Sequence, residues 1–152
     1  MLVKKSINLN CTFEQAVSAV KKSSLLFYVS YPVIFFTPSS APIPIDWVEG
    51  RYWVRLKLFG FIPLGRQAIV ISFDGEGSKF IMKDNGHSFL ISQWDHTITI
   101  ERVSEKETRY EDHVEVQAGI LTPIVWLFAN YFYHHRQKRW LNLCSTDFQS
   151  IL

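Results

Sequence analysis

Two polar residues, His96 and Asp112, interrupt what is otherwise an apolar strand face. Apolar and polar residues alternate on both sides of residues 104–108, as in two antiparallel strands that bury one face. If the turn lies at 105–107, residues whose numbers add up to about 212 face each other, so Val116 is expected opposite His96. The predicted inward face then consists of Trp94, His96, Ile98, Ile100, Tyr110, Asp112, Val114 and Val116.

The chemistry of this pair has two interpretations. A histidine titrates near neutral pH, so His96 could orient a ligand or act with Asp112 as an acid/base pair. A buried carboxylate is costly unless it is paired, so Asp112 needs His96, Arg66, Tyr110 or a ligand as its partner. A pair that is satisfied inside the core and has only a structural role is the alternative.

Other reactive patterns are weaker. The dipeptides Asp95-His96 and Asp112-His113 resemble dyads, but adjacent strand residues point to opposite faces of a sheet. The chain has no serine elbow, no His-x-x-x-His and no carboxylate cluster, so we expect neither a metal nor a cofactor.

The residues around this pair form a sheet. Alternation of period two predicts five consecutive antiparallel strands, at 47–58, 67–73, 79–84, 88–103 and 109–118. The predicted turns between them include 74–77 and a hairpin at Asn85-Gly86. In the first of these strands, Arg51, Trp53, Arg55 and Lys57 alternate with Tyr52, Val54, Leu56 and Leu58.

Helix signals flank the sheet. A strand at 3–10 precedes Thr12 and Gln15, a capping box that starts a helix ending near Lys22. A second short helix is expected within 23–36, kinked or ended by Pro32, followed by an apolar, proline-rich loop (37–46) that is a possible lid. The last helix starts at Thr122-Pro123 and runs to about Cys144. The order β-α-α-β-β-β-β-β-α predicts an α+β domain with a curved antiparallel sheet wrapped around the long C-terminal helix.

The composition is that of one globular domain, 1–152, with 47% hydrophobic and 20% charged residues. Aromatic residues make up 15%, and they either fill the core or line a pocket for an apolar ligand. A net charge of +2 gives no reason to expect a nucleic-acid partner. The apolar runs 25–36 and 120–133 are shorter than the roughly 20 residues of a membrane span.

Two cysteines, Cys11 and Cys144, show no metal-ligand spacing and are too few for a disulfide framework. This usage favours a reducing compartment, so we expect a cytoplasmic protein. The sequence leaves the oligomeric state open.

The order of elements resembles the helix-grip superfamily of START lipid-binding domains, birch-pollen-allergen-like proteins and polyketide cyclase-like proteins (the SRPBCC group). The resemblance covers essentially the whole chain. It is carried by the opening strand with the helix at 12–22, and by the segment 110–140. That segment runs from Tyr-Glu-Asp-His-Val-Glu through Gly119 and Thr122-Pro123 into an aromatic and arginine-rich helix.

This resemblance implies a hydrophobic cavity between the sheet and the last helix. From it and from the strand faces we expect an apolar ligand to contact Tyr52, Val54, Leu56, Phe80, Met82, Trp94, His96, Ile98, Tyr110, Asp112, Val114, Trp126, Ala129, Phe132, Tyr133 and Arg136.

Three functions therefore compete. The first is binding or carriage of a lipid-like or polycyclic aromatic molecule. The second is a cyclase or dehydratase reaction with His96 and Asp112 as acid/base groups. The third is protein interaction through the basic strand 51–57.

Overall fold

Seven strands, three α-helices and two short 3-10 turns account for most of residues 1–152, which the computed structural model describes completely. In chain order the elements are β1 Leu2–Leu9, α1 Phe13–Val20, α2 Ser23–Ser30, β2 Ile34–Pro38, β3 Gly50–Leu58, β4 Ile62–Glu76, β5 Lys79–Ser88, β6 Gln93–Arg102, β7 Thr108–Gln117 and α3 Thr122–Ser145, with 3-10 turns at Gly119–Leu121 and Gln149–Ile151. No helix is long and apolar enough to cross a membrane.

The strands form one open antiparallel sheet in the order β1-β7-β6-β5-β4-β3-β2. The curved sheet and the long α3 that packs on its inner face confirm the predicted α+β helix-grip architecture. As predicted, the Thr12 hydroxyl and the Gln15 side chain form a capping box at the start of α1.

The inward faces of β6 and β7 confirm the predicted alternation, because the buried residues of both strands occupy every second position. The predicted register was wrong by two residues: His96 lies opposite Val114, and Trp94 lies opposite Val116. A shift by two preserves the faces, since side chains repeat with period two.

The hairpin predicted at Asn85-Gly86 was also wrong. These residues lie inside β5, which continues to Ser88, and the turn follows at 89–92. A Cβ on Gly86 would lie 3.0 Å from the carbonyl oxygen of Ala68, so glycine is needed here for close approach of β4 rather than for a turn.

The second helix ends at Ser30, earlier than its predicted limit of 36. The chain then forms β2, an edge strand that pairs with β3 and was not predicted. Proline cannot continue a helix, and the run from Val33 to Phe36 consists of the β-branched and aromatic residues that favour strands.

The β3–β4 hairpin is longer than predicted, since β4 already begins at Ile62. Phe59 and Gly60 form its turn, both with positive φ (53° and 83°). Glycine adopts this conformation at little cost, whereas Phe59 adopts it because the tight turn at 59–61 requires positive φ at this position.

The core consists of two clusters. A packed half of 20 buried residues includes Leu9, Val54, Ile100, Tyr110 and Trp140. A cavity half of nine buried residues is formed by Val3, Val33, Ile34, Trp94, Val114, Val116, Ala129, Phe132 and Tyr133.

Candidate functional site

A cavity of about 370 Å³ separates the sheet from the first half of α3. One wall comes from β2, β3 and β4, and the opposite wall comes from α3. Of its 20 lining residues, 16 are hydrophobic: Leu26, Ile34, Phe36, Leu56, Leu58, Leu64, Ile69, Leu90, Ile91, Trp94, Leu121, Ile124, Val125, Phe128, Phe132 and Tyr133. Such a lining matches a molecule whose surface is mainly apolar.

The cavity has an open mouth formed by three loops. Leu64 of the β3–β4 hairpin, Leu90 of the β5–β6 turn, and Leu121 and Ile124 at the start of α3 all line the cavity and are also solvent-exposed. A ligand can therefore enter between these loops without unfolding of the sheet.

The four polar lining residues are Gln67, Asp84, His96 and Arg136. The last three also line a small void of about 40 Å³ that lies towards the packed half. This void is large enough for water but not for an organic ligand. Asp84, His96 and Arg136 therefore form a polar floor between the cavity and the packed half.

Asp112 lies directly behind this floor and is completely buried. Its carboxylate accepts hydrogen bonds from His96 Nε2 (2.7 Å), the Tyr110 hydroxyl (2.8 Å) and Gln137 Nε2 (3.1 Å). Burial by itself raises the pKa of Asp112, but the contacts with His96, Arg136 and Tyr110 outweigh it and hold this pKa below its ordinary value. Asp112 is therefore ionised, and protein side chains donate hydrogen bonds to both of its carboxylate oxygens.

His96 is held by that carboxylate and faces the cavity. Burial lowers the pKa of His96, despite the opposing effect of Asp112, so the imidazole is neutral near pH 7. Because an ionised Asp112 can only accept, Nε2 donates to it and Nδ1 is the unprotonated nitrogen. The residue thus offers an acceptor towards a ligand.

Asp84 is positioned by an interruption in the β4–β5 ladder. Its Oδ1 accepts a hydrogen bond from the Val70 backbone N–H at 2.9 Å, in place of a partner from the facing strand. Burial raises the pKa of Asp84 to about 7, although the Val70 hydrogen bond and the Arg136 charge oppose it. Asp84 can therefore exchange a proton near neutral pH.

Arg136 extends from α3 between these groups and is 4% exposed. Its guanidinium lies 5.3 Å from the centroid of the Tyr133 ring and 5.7 Å from that of Phe132. Its Nε has no hydrogen-bond partner, and Arg136 forms no ion pair. The charge is enclosed, and part of its hydrogen-bonding capacity is unused.

The structure distributes the residues predicted to contact a ligand over three places. Six line the cavity: Leu56, Trp94, His96, Phe132, Tyr133 and Arg136. Met82 and Ile98 line the small void, with Tyr110 and Asp112 buried behind the floor. Val54, Val114 and Ala129 are buried within the two core clusters.

The remaining three lie away from the cavity. Tyr52 packs on Trp47 and donates its hydroxyl to the Val48 carbonyl. Phe80 packs on Phe73 in the packed half. Trp126 donates its indole N–H to the Leu2 carbonyl on β1. Alternation identifies the face of a strand, but it does not say how far along the sheet a cavity extends.

The residues predicted to contact a ligand included neither Asp84 nor any of the four mouth residues. Leu64 and Leu121 fall in predicted connectors, whereas Leu90 falls in the predicted strand 88–103 and Ile124 in the first turn of the predicted last helix. The pattern of apolar residues does not tell which of them border an opening. Asp84 is the last residue of the predicted strand 79–84, and turn chemistry next to Asn85-Gly86 was a sufficient explanation for it. The one available signal was the largely apolar character of 58–64, 89–91 and 120–125. The loop considered as a lid contributes no lining residue between 39 and 46.

Comparison with models of known protein families shows the family of this chain. The model of a domain of unknown function (DUF8410) matches residues 39–143. The protein belongs to the DUF8410 family. No curated protein matches this DUF8410 chain.

Solved structures show the same fold at low sequence identity. A hypothetical protein from Helicobacter pylori has a TM-score of 0.66 and 11% identity, covering 95% of this chain and 88% of that one. A START superfamily protein from Mycobacterium smegmatis has a TM-score of 0.58 and 11% identity, covering 95% and 97%.

Norcoclaurine synthase from Thalictrum flavum, solved in complex with dopamine and hydroxybenzaldehyde, has a TM-score of 0.62 and 7% identity, covering 94% and 85%. Together these structures confirm the START-like helix-grip fold that the order of elements suggested.

Proposed function

We propose that this DUF8410 protein binds and carries an apolar small molecule, lipid-like or polycyclic aromatic, in the cavity between the sheet and α3. The observation that carries the proposal is the cavity itself, with about 370 Å³ and 16 hydrophobic residues among 20. Ligand pockets span roughly 300–1,000 Å³, whereas protein cores rarely contain voids larger than a water molecule.

The energetics of the cavity support an occupant. An apolar void lowers stability because its lining side chains lose packing contacts, by about 24 cal/mol per Å³ in a measured series on another protein. A ligand restores those contacts. The neighbouring folds are consistent with this role, since the T. flavum enzyme holds small aromatic molecules.

The direct test is native mass spectrometry of the full-length protein purified without detergent from its expression host. We expect a non-covalent adduct that extraction with organic solvent removes. The matched control is Val125→Phe, which places a ring in the cavity from its α3 wall and should purify without the adduct. Equal adducts on both proteins would place the molecule elsewhere and reject the proposed site.

A second candidate function is an enzyme of the cyclase or dehydratase type. It is favoured by one observation: Asp112 holds His96 with Nδ1 unprotonated at the cavity floor. In that arrangement His96 would accept the proton from a ligand C–H or O–H, and Asp112 would orient it.

This candidate predicts that His96→Gln retains ligand binding but loses turnover. The ligand extracted from host cells is incubated with each protein, and its mass and retention time are followed. If the wild-type protein does not change the ligand, the result contradicts the enzymatic function and agrees with the carrier function.

We also propose a cytoplasmic location. It is supported by Cys11 and Cys144, which are both free thiols.

A further inference from the structure

Arg136 has hydrogen-bonding capacity that the protein does not use. A guanidinium carries five N–H groups, and a buried arginine is normally paired with a carboxylate. Arg136 is 4% exposed, forms no ion pair and has an Nε without a partner. Since it lines both the cavity and the small void, a molecule in the cavity can reach it.

The polar groups around Arg136 satisfy it only in part. The Tyr110 hydroxyl, which donates to Asp112, also lies close enough to accept from the guanidinium. Asp112 accepts three hydrogen bonds, one of them from Tyr110. The Tyr133 hydroxyl accepts the Trp94 indole N–H at 3.0 Å. Asp84 accepts the Val70 N–H and does not approach Arg136 closely enough for an ion pair. The guanidinium therefore retains N–H groups, Nε among them, that a ligand can satisfy.

Resting on the proposed carrier function, we infer that the ligand is an amphiphile that ends in a carboxylate, bound by Arg136 at the cavity floor. The planar guanidinium matches a carboxylate through two parallel hydrogen bonds. The Phe132 and Tyr133 rings beside the guanidinium fix its orientation. The apolar part of the ligand then fills the cavity from the floor towards the mouth.

The test compares three probes that differ only at one end: decanoate, decanol and methyl decanoate. Each displaces the neutral fluorescent probe N-phenyl-1-naphthylamine from the full-length protein. A charge-assisted, bidentate contact predicts that decanoate binds on the order of tenfold to a hundredfold more tightly than its methyl ester.

Arg136→Gln should lower the affinity for decanoate to about that for methyl decanoate, whereas Arg136→Lys should retain part of the difference. Lys138→Gln, which removes a cation from the exposed face of the same helix, is the matched control and should keep the full preference. If Arg136→Gln does not fold, the comparison of probes on the wild-type protein and on Arg136→Lys still decides.

Equal affinity of decanoate and methyl decanoate would overturn the carboxylate assignment while leaving the carrier function intact. Absence of saturable N-phenyl-1-naphthylamine binding would instead contradict the carrier function. Failure of the carboxylate assignment and failure of the carrier function therefore give different results.

A second inference comes from the outside of the mouth. Phe61, Phe89 and Ile120 lie at the tips of the three mouth loops and are 73%, 100% and 97% exposed. Neighbouring cavity-lining residues of the same loops are also exposed. Large apolar groups that cluster around one opening mark an interaction surface.

The charged residues of the three chain segments that carry the mouth loops are all cations. None of the 14 acidic residues falls in 50–73, 85–94 or 116–146, the three segments that contain the mouth loops. Arg55, Lys57 and Arg66 are exposed on β3 and β4 close to the turn of the β3–β4 hairpin, and Arg51 is exposed at the other end of β3. β3 is paired with a strand on each side, so its backbone cannot pair with a strand of another protein.

We propose that the mouth docks on an anionic lipid bilayer, with the loop tips in the interface and the cations facing the headgroups. Aromatic and aliphatic tips partition into the interfacial region of a bilayer, and clustered cations attract anionic lipids. A cavity that opens at this surface exchanges an apolar ligand with the bilayer without exposing it to water.

Co-sedimentation with vesicles tests the proposal. The protein should sediment with phosphatidylcholine vesicles that contain phosphatidylglycerol, sediment less with phosphatidylcholine alone, and be released by raised salt. The double variant Phe61→Ser, Phe89→Ser should reduce binding at least tenfold. Val103→Ser, an exposed apolar residue at the β6–β7 turn at the other end of β6, should not.

A wild-type protein that stays in solution with both vesicles would overturn the proposal. So would a dimer in solution that the double variant converts to monomers, because the mouth would then be covered by a second copy.

Discussion

The two halves of the core are built on the same sheet and the same helix, yet one is filled and the other is hollow. In the packed half, α1, α2 and the C-terminal turn contribute Ala16, Val20, Leu25, Val29 and Ile151 to the cluster. The cavity half contains no buried residue from α1 or α2. The hollow therefore arises because these two helices cover only one end of the sheet.

The difference in packing between the two halves should appear most strongly when large side chains of α3 are replaced by alanine. Trp140 is completely buried in the packed half, so Trp140→Ala should lower the free energy of unfolding by about 3–5 kcal/mol. Phe128 borders the cavity and is partly exposed, so Phe128→Ala should cost about 1–2 kcal/mol. Urea denaturation of both variants measures the contrast. Equal losses would mean that the two halves are packed alike.

Replacing a small side chain by a larger one should destabilise the packed half but not the cavity half. Val54→Phe overfills the packed half, where Val54 is completely buried, and should cost about 1–3 kcal/mol. Val125→Phe places the same extra volume in the cavity and should leave stability unchanged or raised. Thermal unfolding of the two apo proteins checks this pair. A loss of stability in Val125→Phe would show that the cavity is not available.

The sequence predicted the features that depend on local pattern. The faces of β6 and β7, the capping box at Thr12 and the start of α3 at Pro123 follow from alternation, hydrogen-bonding groups and ring geometry, which neighbouring residues determine. The register of His96 and the turn near Gly86 depend instead on which strand lies alongside, and this is a tertiary property. For the same reason the strand faces identified buried residues but not the boundary of the cavity.

A smaller effect concerns Asp84, whose pKa of about 7 lies above the ordinary 3.8. A raised carboxyl pKa means that the folded protein binds this proton more tightly than the unfolded chain, so stability falls as the pH rises from about 4 to 7. Asp84→Asn keeps an oxygen for the Val70 N–H and cannot ionise. It should therefore stabilise the protein by at least about 1 kcal/mol at pH 8, and by less at pH 5.

Urea denaturation at both pH values measures this gain. Asp74→Asn makes the same chemical change at an exposed carboxylate near the end of β4. The difference in stability gain between the two variants is therefore due to the position of Asp84 at the cavity. A gain that is independent of pH would indicate that Asp84 is already ionised in the folded protein.

The most direct test of the central claim is a fluorescence titration of delipidated wild-type protein and Val125→Phe with N-phenyl-1-naphthylamine. We expect saturable binding at one site per wild-type chain, with binding at least tenfold weaker in Val125→Phe at an unchanged fold. The absence of saturable binding, or the same affinity in both proteins, would contradict a ligand site between the sheet and α3.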